Sequence, residues 1–260
     1  MLQTVEWNLG GVSRCRFIFH GAGHPFRMAE TRLPPMQRHL AKALSHSWST
    51  APHCTVFADA DVTALTALRA ELKAKGAAPT VSHFVLTALA RALQGHPAFN
   101  GWLEGDTLHR VEDINIGLAI ALQDGGLMAP VLSDIGGIDA FDMAARTRAL
   151  ADRARGKALS AQDMQGGTFT FSSAGRARTP RYATPLLPLP QLAILAATGI
   201  RAEPVVRQGS IKSADILPLS LTFDHRAING EQANAFLDHL SDRLADPRAL
   251  LSPQPEKDTP

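Results

Sequence analysis

A histidine stands between an acid and a base where an apolar run ends. The run is Leu221-Thr222-Phe223-Asp224-His225-Arg226-Ala227-Ile228-Asn229-Gly230. Imidazole has an ordinary pKa near ~6.5, so it can take and return a proton close to neutrality. Leu217, Leu219, Leu221 and Phe223 alternate, which is the pattern of a strand with one buried face. His225 continues that parity just past the strand, before a helix that begins after Gly230. A side chain held by a rigid element near an edge is well placed to be a general base. Spacing alone allows a second reading, a strand-end histidine bonded to a backbone carbonyl.

Other chemistry finds less support. Ser172-Ser173-Ala174-Gly175 lacks the first glycine of a hydrolase nucleophile elbow. No phosphate-binding Gly-x-x-x-x-Gly-Lys loop occurs, and no Gly-x-Gly-x-x-Gly follows a strand. His20 and His24 have helical metal-ligand spacing, but the glycines between them favour a loop. Arg146, Arg148, Arg153, Arg155, Arg176, Arg178 and Arg181 form a basic set. They are candidates for meeting phosphates, although a solvated basic face fits them better. Two cysteines make neither a disulfide framework nor a zinc set.

The elements that must position His225 are legible as a mixture of helices and strands. The chain has 260 residues, 45% hydrophobic and 19% charged, with a net charge of +2. That is ordinary for a globular domain and too mild to argue for nucleic acid. No stretch approaches the ~20 apolar residues of a membrane span, and no signal peptide is expected. Leu33, Met36, Leu40, Leu44 and Trp48 recur at helical spacing, ended by Pro52. A strand is expected from His53. A second helix should start with Asp61 as its N-cap and end at Gly76. A third, from Thr80, is apolar on most sides and therefore buried. Residues 113–122 and 127–132 read as strands, and residues 139–159 as a surface helix. Residues 166–173, 191–200 and 216–223 read as strands, and residues 230–247 as the last helix. Strict strand–helix alternation is missing, which favours an α/β sandwich with a mixed sheet. Residues 1–30 are expected to be an irregular extension, 31–250 one domain and 251–260 a disordered tail.

The run around His225 resembles the C-terminal signature of dihydrolipoamide acyltransferases, the catalytic components of 2-oxo acid dehydrogenase complexes. Their Asp-His-Arg-x-x-Asp/Asn-Gly pattern is a form of the His-x-x-x-Asp-Gly motif shared with chloramphenicol acetyltransferase. Further segments agree in order: Met36–Leu65, with its Pro52-His53 strand; Asn115–Leu132, with Asp124-Gly125; Gly166–Gly175; and Pro188–Ile200. The resemblance covers roughly residues 31–250.

The resemblance implies a chloramphenicol acetyltransferase-like two-layer sandwich, assembled as a trimer or a larger cage. It implies acyl transfer between coenzyme A and a dihydrolipoamide thiol, with His225 as general base. A thiol has an ordinary pKa near ~8.5, so a base must take its proton as it attacks the thioester. Ser172, ending the Phe-x-Phe-Ser strand, corresponds to the donor to the oxyanion. Ser173 should point to the other face, and a strand-end hydroxyl capping the backbone is the plainer reading of Ser172. Asn229 corresponds to the position that steadies the turn. It stands where the family commonly has Asp, and Gln37 stands where the family usually has Arg, so a neutral Gln37–Asn229 hydrogen bond is expected to replace an ion pair. No lipoyl attachment site is found in these residues, so the acceptor is expected in trans, in the cytoplasm. The rivals are another small amine, alcohol or thiol acceptor, and a scaffold with little catalysis.

Overall fold

Proline is tolerated in a first helical turn because its missing N–H would be unpaired there anyway. Pro35 opens α1 (Pro35–Thr50) in this way. The computed structural model describes residues 32–76, 78–121, 127–156, 158–174 and 179–254. The expected extension over residues 1–30, with His20 and His24, lies outside the described residues. The chain divides into Met1–Pro34 and Pro35–Pro260, and every element below belongs to the second unit.

After α1 come β1 (His53–Asp61), α2 (Thr63–Ala74), α3 (Val81–Gly95) and a small hairpin, β2 (Gly101–Glu104) and β3 (Thr107–Arg110). Next are β4 (Ile116–Ala121), β5 (Leu127–Met128), β6 (Val131–Leu132) and α4 (Ala140–Arg155). The chain finishes with β7 (Phe169–Ser173), β8 (Ala193–Ala197), β9 (Arg201–Arg207), β10 (Ser210–Asp224), α5 (Gly230–Ala245) and a 3₁₀ turn, Pro247–Leu251. The main sheet runs β1-β10-β8-β7-β4-β5, with β6 on β4 and β9 on β10. It is mixed: β4–β7 and β7–β8 are parallel and the other pairs antiparallel.

The second half of β10 is buried on both faces rather than one, with Ser220, Thr222 and Asp224 as inaccessible as the apolar residues between them. Leu217, Leu219, Leu221 and Phe223 are buried with Phe169 and Phe171 of β7 against α3 and α5. α3 is buried from Phe84 to Leu93, as its all-round apolarity requires. α5 contributes Phe236, Leu237, Leu240 and Leu244, and Phe236 stacks on Phe99 at 4.5 Å between centroids. Each fully buried Leu or Phe adds roughly 1.5–3 kcal/mol, so this helical layer holds β10 and its C-terminal turn firmly. The opposite face is partly covered by the segment before β8. There Ala183 N–H donates to Ser220 Oγ (3.2 Å), and Leu187 packs on Ile194 and Ala51.

Several expectations need correcting. Asp61 is the last residue of β1 rather than the N-cap of α2, which is Val62. The strand runs straight into the helix, and the Asp61 carboxylate accepts from the N–H (3.0 Å) and Oγ (2.6 Å) of Thr63, two residues on. The strand expected over 127–132 is two short ones, split at Ala129-Pro130, because proline has no N–H for a ladder. Residues 251–254 are tied down. Ser252 O accepts from Arg91 Nη2 (2.5 Å), and Gln254 N–H donates to Gly137 O (3.1 Å). Residues 255–260 lie outside the described residues.

Candidate active site

Asp224 ends β10, and a tight turn carries His225 away from it toward α5. The Asp224 carbonyl accepts the N–H groups of Ala227 and Ile228, both at 3.1 Å. His225 N–H donates to Pro52 O (3.0 Å), which fastens the turn to the start of β1. The His225 imidazole is exposed. It stands 5.6 Å, centroid to centroid, from the buried Phe223 ring, and among the described residues it makes no hydrogen bond. A rigid backbone therefore presents a side chain with both ring nitrogens open to a reactant. The carbonyl-bonded alternative does not hold for its side chain.

Asp224 itself is 1% exposed and holds Arg226, with Oδ2 accepting from Nη2 at 2.6 Å. Those hydrogen bonds hold the Arg226 guanidinium above its ordinary pKa, against the pull of burial. Across the strands Asp224 faces His53. Burial lowers the His53 pKa, and the Asp224 carboxylate opposes that shift. Ser47 Oγ donates to Leu187 O (2.6 Å) and lies 3.2 Å from His53 Nε2.

Asn229 is the N-cap of α5. Its Oδ1 accepts from Gln232 N–H, and Gln232 Oε1 accepts from Asn229 N–H, both at 2.9 Å. This is a capping box, which satisfies two otherwise orphaned donors. The expected Gln37–Asn229 pair is therefore replaced by Asn229–Gln232. A residue three positions along the same helix end reaches the cap at less entropic cost than one on α1.

Ser172 lies in the last part of β7 and is half-buried. Thr168 and Thr170 share its face, and their hydroxyls donate to Asn100 Oδ1 (2.5 Å) and Gln191 Oε1 (2.6 Å). Ser172 Oγ makes no hydrogen bond among the described residues. The backbone-capping reading thus fails for it. Ser173 points the other way, with Oγ 3.5 Å from Ser82 Oγ on α3, as strand alternation requires.

Ser172 and His225 do not meet within one chain. Ser172 is level with Ala196 on β8, and Ala196 with Ser220 on β10. His225 follows the end of β10, five residues beyond Ser220. At ~4.8 Å per strand and ~3.3 Å per residue, the two sit on the order of 19 Å apart.

Three of the seven arginines of the basic set are paired with carboxylates, and a fourth bonds a backbone carbonyl. Arg146 donates to Asp134 O (3.1 Å), Arg153 pairs with Asp163 (2.9 Å), Arg155 with Asp152, and Arg181 with Asp59 (2.8 Å) and Glu203 (2.9 Å). Arg176 and Arg178 lie outside the described residues. Sequence reasoning gave no role to Asp224, Arg226 or the Pro52 carbonyl. The Pro52-His53 pair was the available signal, since both of its residues meet the His225 turn.

The family model for the 2-oxoacid dehydrogenases acyltransferase catalytic domain matches residues 27–252. A relative from Pseudomonas aeruginosa is the dihydrolipoyllysine-residue acetyltransferase component of a pyruvate dehydrogenase complex. It is 38% identical over 239 residues, covering 90% of this chain and 43% of the relative. This chain thus spans less than half the length of that relative. Two solved structures each give a TM-score of 0.81 at 36% identity, over 86% of this chain and 94% of theirs. One is the cubic core of the pyruvate dehydrogenase multienzyme complex. The other is dihydrolipoamide acetyltransferase from Azotobacter vinelandii, solved to examine a serine, a histidine and an asparagine in its catalytic mechanism. A chloramphenicol acetyltransferase shares the fold, with a TM-score of 0.51 at 16% identity over 78% of this chain and 94% of its own. The expected α/β sandwich with a mixed sheet is borne out. With a matching model over most of its length and relatives above a third identical, the chain belongs to the family of 2-oxoacid dehydrogenase acyltransferase catalytic domains.

Proposed function

We propose that the protein moves an acyl group between coenzyme A and the thiol of a dihydrolipoyl group supplied in trans. The observation that carries this is an open imidazole on a rigid turn and an uncommitted hydroxyl on a buried strand. His225 takes the thiol proton as sulfur attacks the thioester carbonyl. The tetrahedral oxyanion then accepts a hydrogen bond from Ser172, a donor worth about 3 kcal/mol. Collapse expels the coenzyme A sulfur, which recovers the proton from His225. Asn229 caps α5 and so fixes the far end of the His225 turn. In the Azotobacter relative the histidine and asparagine examined are also four residues apart.

The ~19 Å between Ser172 and His225 places them in one site only if they come from different chains. The reading is therefore a homotrimer, or a cage of trimers, with each site shared between neighbours. Trp48 is 65% exposed, Phe57 48%, Val206 75% and Ile211 79%, and such large apolar surface supports burial against a second copy. A cytoplasmic location belongs to the same reading, supported by a cysteine content unsuited to a disulfide framework.

The test is thioester consumption from acetyl-CoA by the purified protein, with and without dihydrolipoamide, beside His225→Ala. The expected result is dihydrolipoamide-dependent turnover that falls by about 10²–10⁴-fold in the variant while assembly size stays constant. Turnover that persists in His225→Ala overturns the assignment of the base. Turnover with another acceptor but not with dihydrolipoamide overturns the acceptor.

A further inference from the structure

The carboxylate next to the base does not touch it. Bases of this kind are commonly oriented by a carboxylate bonded to the far ring nitrogen. Asp224 is the adjacent carboxylate, and its oxygens are committed elsewhere. Oδ1 accepts from Arg226 N–H (3.0 Å) and Arg226 Nε (3.0 Å). Oδ2 accepts from Arg226 Nε (3.1 Å) and Nη2 (2.6 Å). The main chain of the same residue is equally occupied. Its N–H donates to Leu192 O (2.9 Å), and its carbonyl accepts from Ala227 and Ile228. His225 lies inside the small ring closed between the Asp224 carboxylate and Arg226 N–H, with its own N–H on Pro52 O.

Resting on the acyltransferase reading above, we infer that Asp224 is a positioning residue that orients His225 through the backbone and not through the imidazole. Aspartate side chains readily close such turns on the N–H two residues on. Here the closed ring fixes the direction in which the His225 side chain leaves the chain. The Arg226 guanidinium then compensates a carboxylate that is 1% exposed, which would be costly to bury alone. The role differs from that of a catalytic dyad in what it predicts. A dyad carboxylate stabilises the imidazolium, so its loss shifts the pH dependence of the base. That loss is as large in Asn as in Ala, whereas a backbone clamp tolerates Asn, which can close the same ring.

The experiment compares wild type, His225→Ala, Asp224→Asn and Asp224→Ala for acetyl-CoA and dihydrolipoamide turnover. It reads kcat, the KM for acetyl-CoA, the pH–rate midpoint and assembly size. Asn keeps an Oδ1 acceptor for Arg226 N–H, whereas Ala removes the ring. Misplacement of a catalytic group by about 1 Å costs roughly 10²-fold. Asp224→Ala is therefore expected to lose about 10²-fold in kcat with KM unchanged, and Asp224→Asn to stay within about tenfold of wild type. Both variants remove the same charge and leave Arg226 uncompensated, so their pH–rate midpoints should agree with each other. An Asn variant as slow as Ala overturns the inference, and so does an Ala variant as fast as wild type. If Asp224→Ala does not assemble, the kcat of Asp224→Asn decides alone: within about tenfold of wild type upholds the inference, and a loss of about 10²-fold or more overturns it. Wild type that turns over and His225→Ala that does not uphold the acyltransferase reading independently of Asp224. The opposite pattern overturns both.

Discussion

At the scale of single residues, Asn229 separates what the sequence shows from what it hides. Its place at the end of the motif is legible, but its partner is not. Motif comparison pointed to a bond with Gln37, yet the side chain bonds to Gln232 at the start of α5. The signal was present in Asn229-Gly230-Glu231-Gln232, which has the spacing of a capping box. Because Asp caps helices as well as Asn, Asn229→Asp should leave the unfolding free energy within a few tenths of a kcal/mol. Adding Gln37→Arg should change nothing further. Asn229→Ala should cost about 1 kcal/mol. Chemical denaturation of these three variants and of Gln37→Arg alone measures this, and coupling above about 0.5 kcal/mol between positions 37 and 229 would restore the rejected pair. Ser172 is the opposite case. Strand alternation alone assigned its face correctly and sent Ser173 toward α3, because a period of two leaves no freedom.

At the scale of elements, strongly periodic segments were legible and charged ones were not. α3, α5 and the last half of β10 carry their burial in their spelling. β9 and the first half of β10 were missed, and so was the β2–β3 hairpin. β9 and the start of β10 carry charges at Arg201, Glu203, Arg207 and Lys212, and their apolar Val206 and Ile211 face outward instead of joining the core. The turn between them was the overlooked sign: Gln208 and Gly209 both have positive φ, 50° and 74°, the geometry of a tight hairpin.

Elements also carry a pH dependence. His83, in the first turn of α3, accepts from Thr80 N–H on Nδ1 (3.0 Å). Burial lowers its pKa to about 4, helped by Arg148 and Arg69. Protonation in the folded state removes that acceptor. Its pKa is lower folded than unfolded, so its contribution is whole above about 6.5 and is lost as pH falls toward about 4. His96 and His239 act in the same sense. Arg243 Nε donates to His239 Nε2 (2.8 Å), so His239 Nδ1 must donate to His96 Nε2 (3.0 Å). Burial and the Arg243 charge lower both pKa values. Thermal melting should drop between about pH 6.5 and pH 4. In His83→Gln, whose amide oxygen can still accept from Thr80, the drop should be smaller. An identical profile would remove His83 from this account.

At the scale of the whole molecule, the sequence carried the architecture because five segments fell in the right order. It did not carry the separation of the two site residues, which depends on strand order in the sheet. β8 lies between β7 and β10, although nothing in the sequence spells that neighbour relation. The consequence is that one folded chain holds the proposed base and the proposed oxyanion donor too far apart to act on one thioester. Two inactive chains should therefore repair each other. The decisive measurement is acetyl-CoA and dihydrolipoamide turnover by co-expressed Ser172→Ala and His225→Ala chains. Random mixing leaves one intact serine–histidine pair at about a quarter of the shared sites. The account predicts activity near that fraction of wild type, from parents that are each almost inactive alone. Mixed assemblies no more active than their parents would contradict it.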